Sequence, residues 1–234
     1  MRWTSWMAAL LVAAGLAGIM EPLAAAQQAP PAPPAPPARF VVVLDAAHGG
    51  DDTGGRLTSG QYEKNATLAL SVRLRSLLGA RGMQVITTRE ADQSVEMAKR
   101  AEVANHADAQ ACISLHVAET GSGVHLFASS LTPAVPSHFA PWKTAQAGWV
   151  TRSLALAGVL NSALQHGGLT VTLGRTALPG VDSMTCPAVA IEIAPQRDAD
   201  RKITAEPDDT DYQALVANTL AAALLEWRTE ARQP

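Results

Sequence analysis

The stretch VVVLDAAHGGDDTGG, Val41 to Gly55, opens as an apolar strand and breaks off at a histidine set among glycines and aspartates. Its apolar residues run without alternation, which predicts a strand covered on both faces and not one with a wet side. Two later stretches read the same way, Ala111 to Leu115 and Ala188 to Ile193, and Met83 to Thr87 and Val124 to Ala128 are two further strand candidates. Helical spacing lies between them. Leu70, Leu74, Leu77 and Leu78 share one face of a helix that Gly82 can close. Ser94 is placed to cap a second helix running to about Asn105. Trp149, Leu156, Leu160 and Leu164 line a third that ends at Gly167 and Gly168. Asp209 or Thr210 opens a fourth, carrying Tyr212, Leu215, Val216, Leu220 and Leu224. Strands alternating with helices predict a single α/β domain.

The remainder of the 234 residues frames that domain. Arg2 precedes a mostly apolar run from Trp6 to Met20, and Ala24, Ala25 and Ala26 offer a cleavage site, so residues 1–26 are expected to be a signal peptide. The run is shorter than the roughly 20 apolar residues that span a bilayer, which leaves no membrane span after cleavage. Residues 27–38, QQAPPAPPAPPA, are too rich in proline for a helix and are expected to form an extended linker on the order of 35 Å long. Residues 39–234 are expected to form the folded domain. The formal net charge of −3 gives no basic face for a nucleic acid. Cys112 and Cys186 could pair in an exported protein, although a thiol inside an apolar strand is as readily a buried free cysteine.

The three apolar strands finish alike. LDAAHGG, ISLHVAE and AIEIAP deliver His48, His116 and Glu192 at or near C-terminal strand ends, where open α/β sheets hold their ligands. Glu63, in QYEKN, stands just ahead of the leucine-faced helix. Two imidazoles and a carboxylate are the ligand set of a catalytic zinc site, and a second carboxylate beside it suits a hydrolase. Taken singly, each has a plainer role: a loop histidine, a carboxylate at a helix start, or Glu192 paired with Arg197. The spacings are long, so no compact motif certifies a metal.

The order LDAAHGG, YEKN opening a helix, ANHADAQACISLH and PAVAIEI resembles the zinc-dependent N-acetylmuramoyl-L-alanine amidases of bacterial cell walls over nearly all of Arg39 to Arg232. The resemblance implies a mixed, mostly parallel sheet of about six strands with helices on both faces. It also implies one zinc held by His48, Glu63 and His116, with Glu192 as the catalytic acid and base. Arg89, Arg100, Asn105 and Asp108 fall where the family pattern has such residues. The chain departs from that pattern at Ala46 and Ala47, where a proline is usual, at Val117 to Glu119, and at Ala194 and Pro195. The implied substrate is peptidoglycan, cut between muramic acid and L-alanine in the periplasm or outside the cell, with room for an unidentified activator protein. A zinc peptidase acting within the stem peptide, or a non-catalytic wall-binding relative, are the alternative readings.

Asp45 is either a carboxylate orienting a ligand imidazole from behind or a turn residue. His106, His125, His138 and His166 have ordinary positions in helix ends, a strand and a loop, and none is expected to bind metal. The long segment Ser129 to Gly148 is a candidate border of the substrate groove, with Trp142 and Trp149 as candidates for stacking on a sugar ring, although Trp149 is expected rather to pack in the core.

Overall fold

A computed structural model describes residues 39–137 and 141–230; the expected signal peptide, the linker and His138 lie outside the described residues. In chain order the elements are β1 (Val41–Ala46), α1 (Glu63–Gly79), β2 (Gln84–Thr87), α2 (Met97–His106), β3 (Ala111–Val117) and β4 (Val124–Ser129). They continue with α3 (Val150–His166), β5 (Val171–Thr176), β6 (Ala188–Ile193), β7 (Gln196–Arg197), β8 (Ile203–Ala205) and α4 (Thr210–Glu230). Six strands form one sheet in the order β2-β1-β3-β6-β4-β5, and β7 and β8 form a separate ribbon. All neighbours in the large sheet are parallel except β4 and β6, which are antiparallel. The expected mixed α/β sheet is present. None of the described helices is long and apolar enough to cross a membrane.

Alternation along the strands explains why they read as continuously apolar. Val42 and Leu44 of β1, Ile113 and Leu115 of β3, and Val189 and Ile191 of β6 face a large core that also holds Leu70 and Leu74 of α1, Leu156 and Leu160 of α3, and Leu220 and Leu224 of α4. Their neighbours Val43, Cys112, Ala188 and Ala190 face a smaller cluster with Ala101 and Ala104 of α2 and with Val181 and Met184. Both faces are therefore covered, as the absence of period-2 patterning requires. The second face is the chemically important one. Asp45, Ser114, His116 and Glu192 continue the odd and even positions of Val43, Cys112 and Ala190, so the sheet turns their side chains toward the α2 side.

Several boundaries differ from expectation for local reasons. Helix α1 ends at Gly79, and Gly82 (φ 75°) forms the reversal beyond it, with Met83 N–H bonded to the Leu78 carbonyl. Ser94 does not cap α2; Glu96 occupies that position without a side-chain cap, and Ser94 packs against Gly50. Asp209 caps α4, its Oδ1 accepting from the N–H groups of Asp211 and Tyr212 at 2.9 Å. Leu215 is 44% exposed and lies off the buried face of that helix. Strand β5 went unforeseen because it is an edge strand whose residues are half-buried or exposed.

Cys112 and Cys186 form a disulfide, tying the segment before β6 to the middle of the sheet across 74 residues of sequence. Closing so long a loop stabilises a fold by restricting the unfolded chain. Replacing both cysteines with alanine is expected to lower the unfolding free energy by about 2–4 kcal/mol, read as a fall in the urea midpoint.

Candidate metal centre

Strand β1 runs out at Ala46, and the chain then turns sharply through His48 (φ 61°) into Gly49 and Gly50. A left-handed histidine is uncommon and needs support from its surroundings. Two buried guanidinium groups provide it. Arg89 donates from Nε to the Ala46 carbonyl at 2.9 Å and from Nη2 to the Ala47 carbonyl at 3.0 Å. Arg100 donates from Nη1 to the Ala46 carbonyl at 2.6 Å and to Asp45 Oδ1 at 2.7 Å, and from Nη2 to the His48 carbonyl at 2.7 Å. The Gly49 carbonyl takes the Asp52 N–H at 3.3 Å, and Lys64 Nζ holds the Gly50 carbonyl at 2.7 Å. The carbonyls from Ala46 to Gly50, which the turn strands in succession, are thereby all satisfied.

Glu63 is the first residue of α1, and its N–H reaches back to the Gly55 carbonyl at 2.8 Å. The carboxylate crosses the end of the sheet and meets both histidines: Oε2 lies 3.1 Å from His48 Nε2, and Oε1 lies 3.1 Å from His116 Nδ1. The backbone N–H groups of Gly55 and Val117 donate to the same two oxygens at 3.0 and 3.2 Å. Gly54 (φ 64°) makes this approach possible, since a β-carbon there would stand 2.6 Å from the His48 ring and 2.7 Å from Glu63 Oε2. On its far side the His48 ring is held by Asp52, whose Oδ1 accepts from Nδ1 at 2.8 Å.

His48, Glu63 and His116 each present one donor atom, and these atoms lie within 4.8 Å of one another. A tetrahedral zinc with bonds of about 2.0–2.1 Å spaces its ligand atoms by about 3.4 Å. The donor set and its spacing thus fit a small divalent cation. In the metal-free arrangement the charges pair among themselves. Burial alone would raise the Glu63 carboxyl, but hydrogen bonds from His116, His48 and the Gly55 N–H outweigh it and hold that carboxyl well below the usual carboxylate range. The Glu63 hydrogen bond raises the His48 imidazole above its ordinary value against the opposing effect of burial, and the bond to Asp52 adds to the rise.

Glu192 lies beside this group. Its Cα pairs with that of His116 across β3 and β6, and with that of His125 across β6 and β4. His125 Nδ1 is 3.0 Å from Glu192 Oε1, so the partner of this carboxylate is His125; Arg197 instead donates to the carbonyls of Gly121 and Arg201. Asp45 makes no direct bond to an imidazole. It accepts from Arg100, from Thr88 Oγ1 at 2.7 Å and from Ser114 Oγ at 3.0 Å, and that hydroxyl lies 3.5 Å from His116 Nε2. The sequence alone does not single out Asp52 and gives His125 only an ordinary place in a strand, although Asp52 stands four residues from His48 and His125 faces Glu192 as soon as β4 and β6 are paired.

A cleft of about 520 Å³ opens on His48 and His116, walled by Val95, Met97, Leu178 and Pro179. The described residues of segment 129–148 do not line that cleft. Trp142 and Trp149 line a separate cavity of about 950 Å³ with Asn105, Gln110 and Pro187, next to the N-terminal ends of β3 and β6. Asn105 serves the fold: its Nδ2 donates to the Ser183 carbonyl, and its Oδ1 accepts the Thr185 N–H at 2.7 Å. His106 and His166 bond the carbonyls of Glu102 and Ser162 within their own helices.

Comparison with known proteins gives a consistent answer. The germination-specific N-acetylmuramoyl-L-alanine amidase of Bacillus subtilis (strain 168) is 25% identical over 215 residues, covering 83% of this chain and 82% of the relative. The N-acetylmuramoyl-L-alanine amidase AmiA of Escherichia coli (strain K12) is 38% identical over 76 residues, which is 32% of this chain and only 26% of AmiA's own length. The fold matches the catalytic domain of CwlV, an N-acetylmuramoyl-L-alanine amidase from Bacillus (Paenibacillus) polymyxa var. colistinus, with a TM-score of 0.64 and 24% identity over 81% of this chain and 98% of that one. The family model for N-acetylmuramoyl-L-alanine amidase (Amidase_3) matches residues 42–226. With most of the described chain inside that match, the protein belongs to the Amidase_3 family.

Proposed function

We propose that the protein is a zinc hydrolase that cuts the amide bond between N-acetylmuramic acid and the L-alanine of peptidoglycan stem peptides, with His48, Glu63 and His116 as metal ligands and Glu192 as general acid and base. The observation that carries this reading is the convergence of the three donor atoms within 4.8 Å, beside a carboxylate in register with one of them. Family membership supports the substrate, and an exported location would bring the enzyme to it. Residues 1–26 would be the signal for that export and 27–38 the linker. Residues 39–234 would be the catalytic domain.

Zinc, when bound, supplies Lewis acidity: it makes hydroxide available near neutral pH and stabilises charge developing on the amide oxygen. The chain's own groups do the rest. The His48 imidazole is kept in the tautomer that presents Nε2 by giving its Nδ1 hydrogen to Asp52. His116 is steadied through Ser114, whose hydroxyl is in turn bonded to Asp45. Glu192 takes the proton of the attacking water and delivers one to the amide nitrogen as the carbon–nitrogen bond breaks, since an amine leaves poorly unless protonated. The products are a free lactyl carboxyl and a peptide with a new L-alanine amino terminus. The apolar wall of Met97, Leu178 and Pro179 flanks the cleft in which the bond would lie.

Three measurements test this reading. Mass spectrometry of digested sacculi should find the new L-alanine terminus; a new D-amino-acid terminus would instead identify a peptidase. In the same assay Glu192→Ala should lower turnover by roughly 10²-fold or more with metal retained by elemental analysis, whereas His48→Ala or His116→Ala should lose the metal. Asp52→Asn should weaken metal affinity by roughly 10- to 100-fold, as loss of a carboxylate behind a ligating imidazole does, measured by competition with a chelator.

The pH dependence has a definite sign. A metal can bind only the neutral imidazole, and in the metal-free protein His48 holds its proton to a higher pH than free histidine does. Metal content after dialysis should therefore fall as the pH is lowered from about 7 to about 5, and unchanged content across that range would contradict the ligand assignment of His48.

A further inference from the structure

The structure gives the Glu192 carboxylate a built partner. Three side chains stand in a row across three adjacent strands: His116 on β3, Glu192 on β6 and His125 on β4, each Cα paired with the next. His125 is the more buried of the last two, its side chain 18% exposed against 36% for Glu192, and it flanks the carboxylate from the neighbouring strand. Both ring nitrogens are engaged. Nε2 lies 3.2 Å from the Ser122 carbonyl, and Nδ1 lies 3.0 Å from Glu192 Oε1. A carbonyl and a carboxylate both accept, so the ring gives a hydrogen from each nitrogen, Nε2 to Ser122 and Nδ1 to Glu192, and is held in one orientation by the pair.

The turn between β3 and β4 is shaped around that ring. Gly121 (φ 104°) lies so close that a β-carbon would stand 2.8 Å from His125 Cε1, and its carbonyl is held by Arg197 Nε at 3.1 Å. On another side the Phe127 ring meets the imidazole edge-to-face at 6.3 Å. An imidazole gripped from its own strand, the preceding turn and the ladder has little rotational freedom, and one carboxylate oxygen of Glu192 is fixed with it.

We propose that His125 is a positioning residue for the acid–base step: its Nδ1 bond to Oε1 fixes the Glu192 carboxylate so that the other oxygen meets the water and then the leaving nitrogen. This rests on Glu192 being the acid and base, as proposed above. A proton-transfer group loses rate steeply when its reach to the reacting atom changes by as little as about 1 Å. Losing the buttress should therefore slow turnover without altering how substrate or metal binds.

The test uses a soluble N-acetylmuramoyl peptide with the intact protein, and four variants: His125→Phe, which keeps the ring but not the bond; His125→Asn, whose amide nitrogen approximates Nδ1; Glu192→Gln; and the double variant His125→Phe with Glu192→Gln. The expected result is a kcat lower by roughly 10- to 100-fold in His125→Phe, with KM and metal content unchanged, partial recovery in His125→Asn, and no further loss when His125→Phe is added to Glu192→Gln. Parental kcat in His125→Phe while Glu192→Gln is inactive would overturn the role of His125 and leave the acid–base assignment standing. Loss of metal in His125→Phe, or equal losses in both backgrounds, would also overturn it, the histidine then serving the fold or the metal. Full activity of Glu192→Gln would instead remove the reading on which the proposal rests.

Discussion

The end of β1 is where the fold is most constrained. Its last residues leave the ladder, enter a left-handed turn at His48 (φ 61°), and expose backbone carbonyls in a place that water does not reach freely. Unpaired buried carbonyls cost on the order of 1–3 kcal/mol each, so the turn exists only because Arg89 and Arg100 supply a fork of donors from two other elements. Two buried guanidinium groups side by side repel, and Asp45 lies between strand and helix to offset one of them. That ion pair is thus less a source of net stability than a fixture. It sets where β1 stops and therefore where His48 points. Truncating Arg100 would leave the Asp45 carboxylate and the carbonyls of Ala46, His48 and Val95 without that partner.

The sheet supplies the remaining precision. Side chains alternate along each strand, so apolar and polar work is divided between faces without either interrupting the other. One face carries leucine, isoleucine and valine against three helices. The other is built of alanine and cysteine close to the strands and ends in Asp45, Ser114, His116 and Glu192. The antiparallel entry of β4 then sets His125 opposite Glu192, which a wholly parallel sheet would not do from a turn this short. The disulfide between Cys112 and Cys186 joins β3 to the approach of β6, the two strands that carry His116 and Glu192.

Much of this was legible in the sequence, for identifiable reasons. Continuous apolar runs ending at His48, His116 and Glu192 reveal buried strands and the edge of the sheet to which they deliver polar groups. Leu70, Leu74 and Leu78 disclose α1, at whose first position Glu63 sits. What stayed hidden depends on pairing. Strand β5 has no buried run because it is an exposed edge, and the pairing of Glu192 with His125 follows from the β4–β6 register, not from nearness in sequence. The cysteine pair was undecidable for the same reason: 74 residues separate two side chains that only the packing of the α2 face brings together. The place of the segment carrying Trp142 stayed open because a long proline-rich stretch reads the same whether it flanks the cleft at the metal centre or lies by the opposite strand ends.

The carboxylates around the centre separate by the number of donors each accepts. Glu63 takes two imidazoles and two backbone N–H groups, and its charge is held in place whatever happens nearby. Asp45 takes a guanidinium and two hydroxyls and is committed to the turn. Asp52 takes His48 Nδ1 and the Gly54 N–H. Glu192 is bonded on Oε1 by His125, and Oε2 takes no part in that bond. A group that must gain and lose a proton within one turnover cannot be surrounded by donors, because each hydrogen bond to the charged form resists protonation. By that criterion Glu63 suits a cation and Glu192 suits a proton. On the proposed assignment, the division of labour between these two carboxylates at one end of the sheet comes from their hydrogen-bond surroundings and not from any difference in the side chain itself.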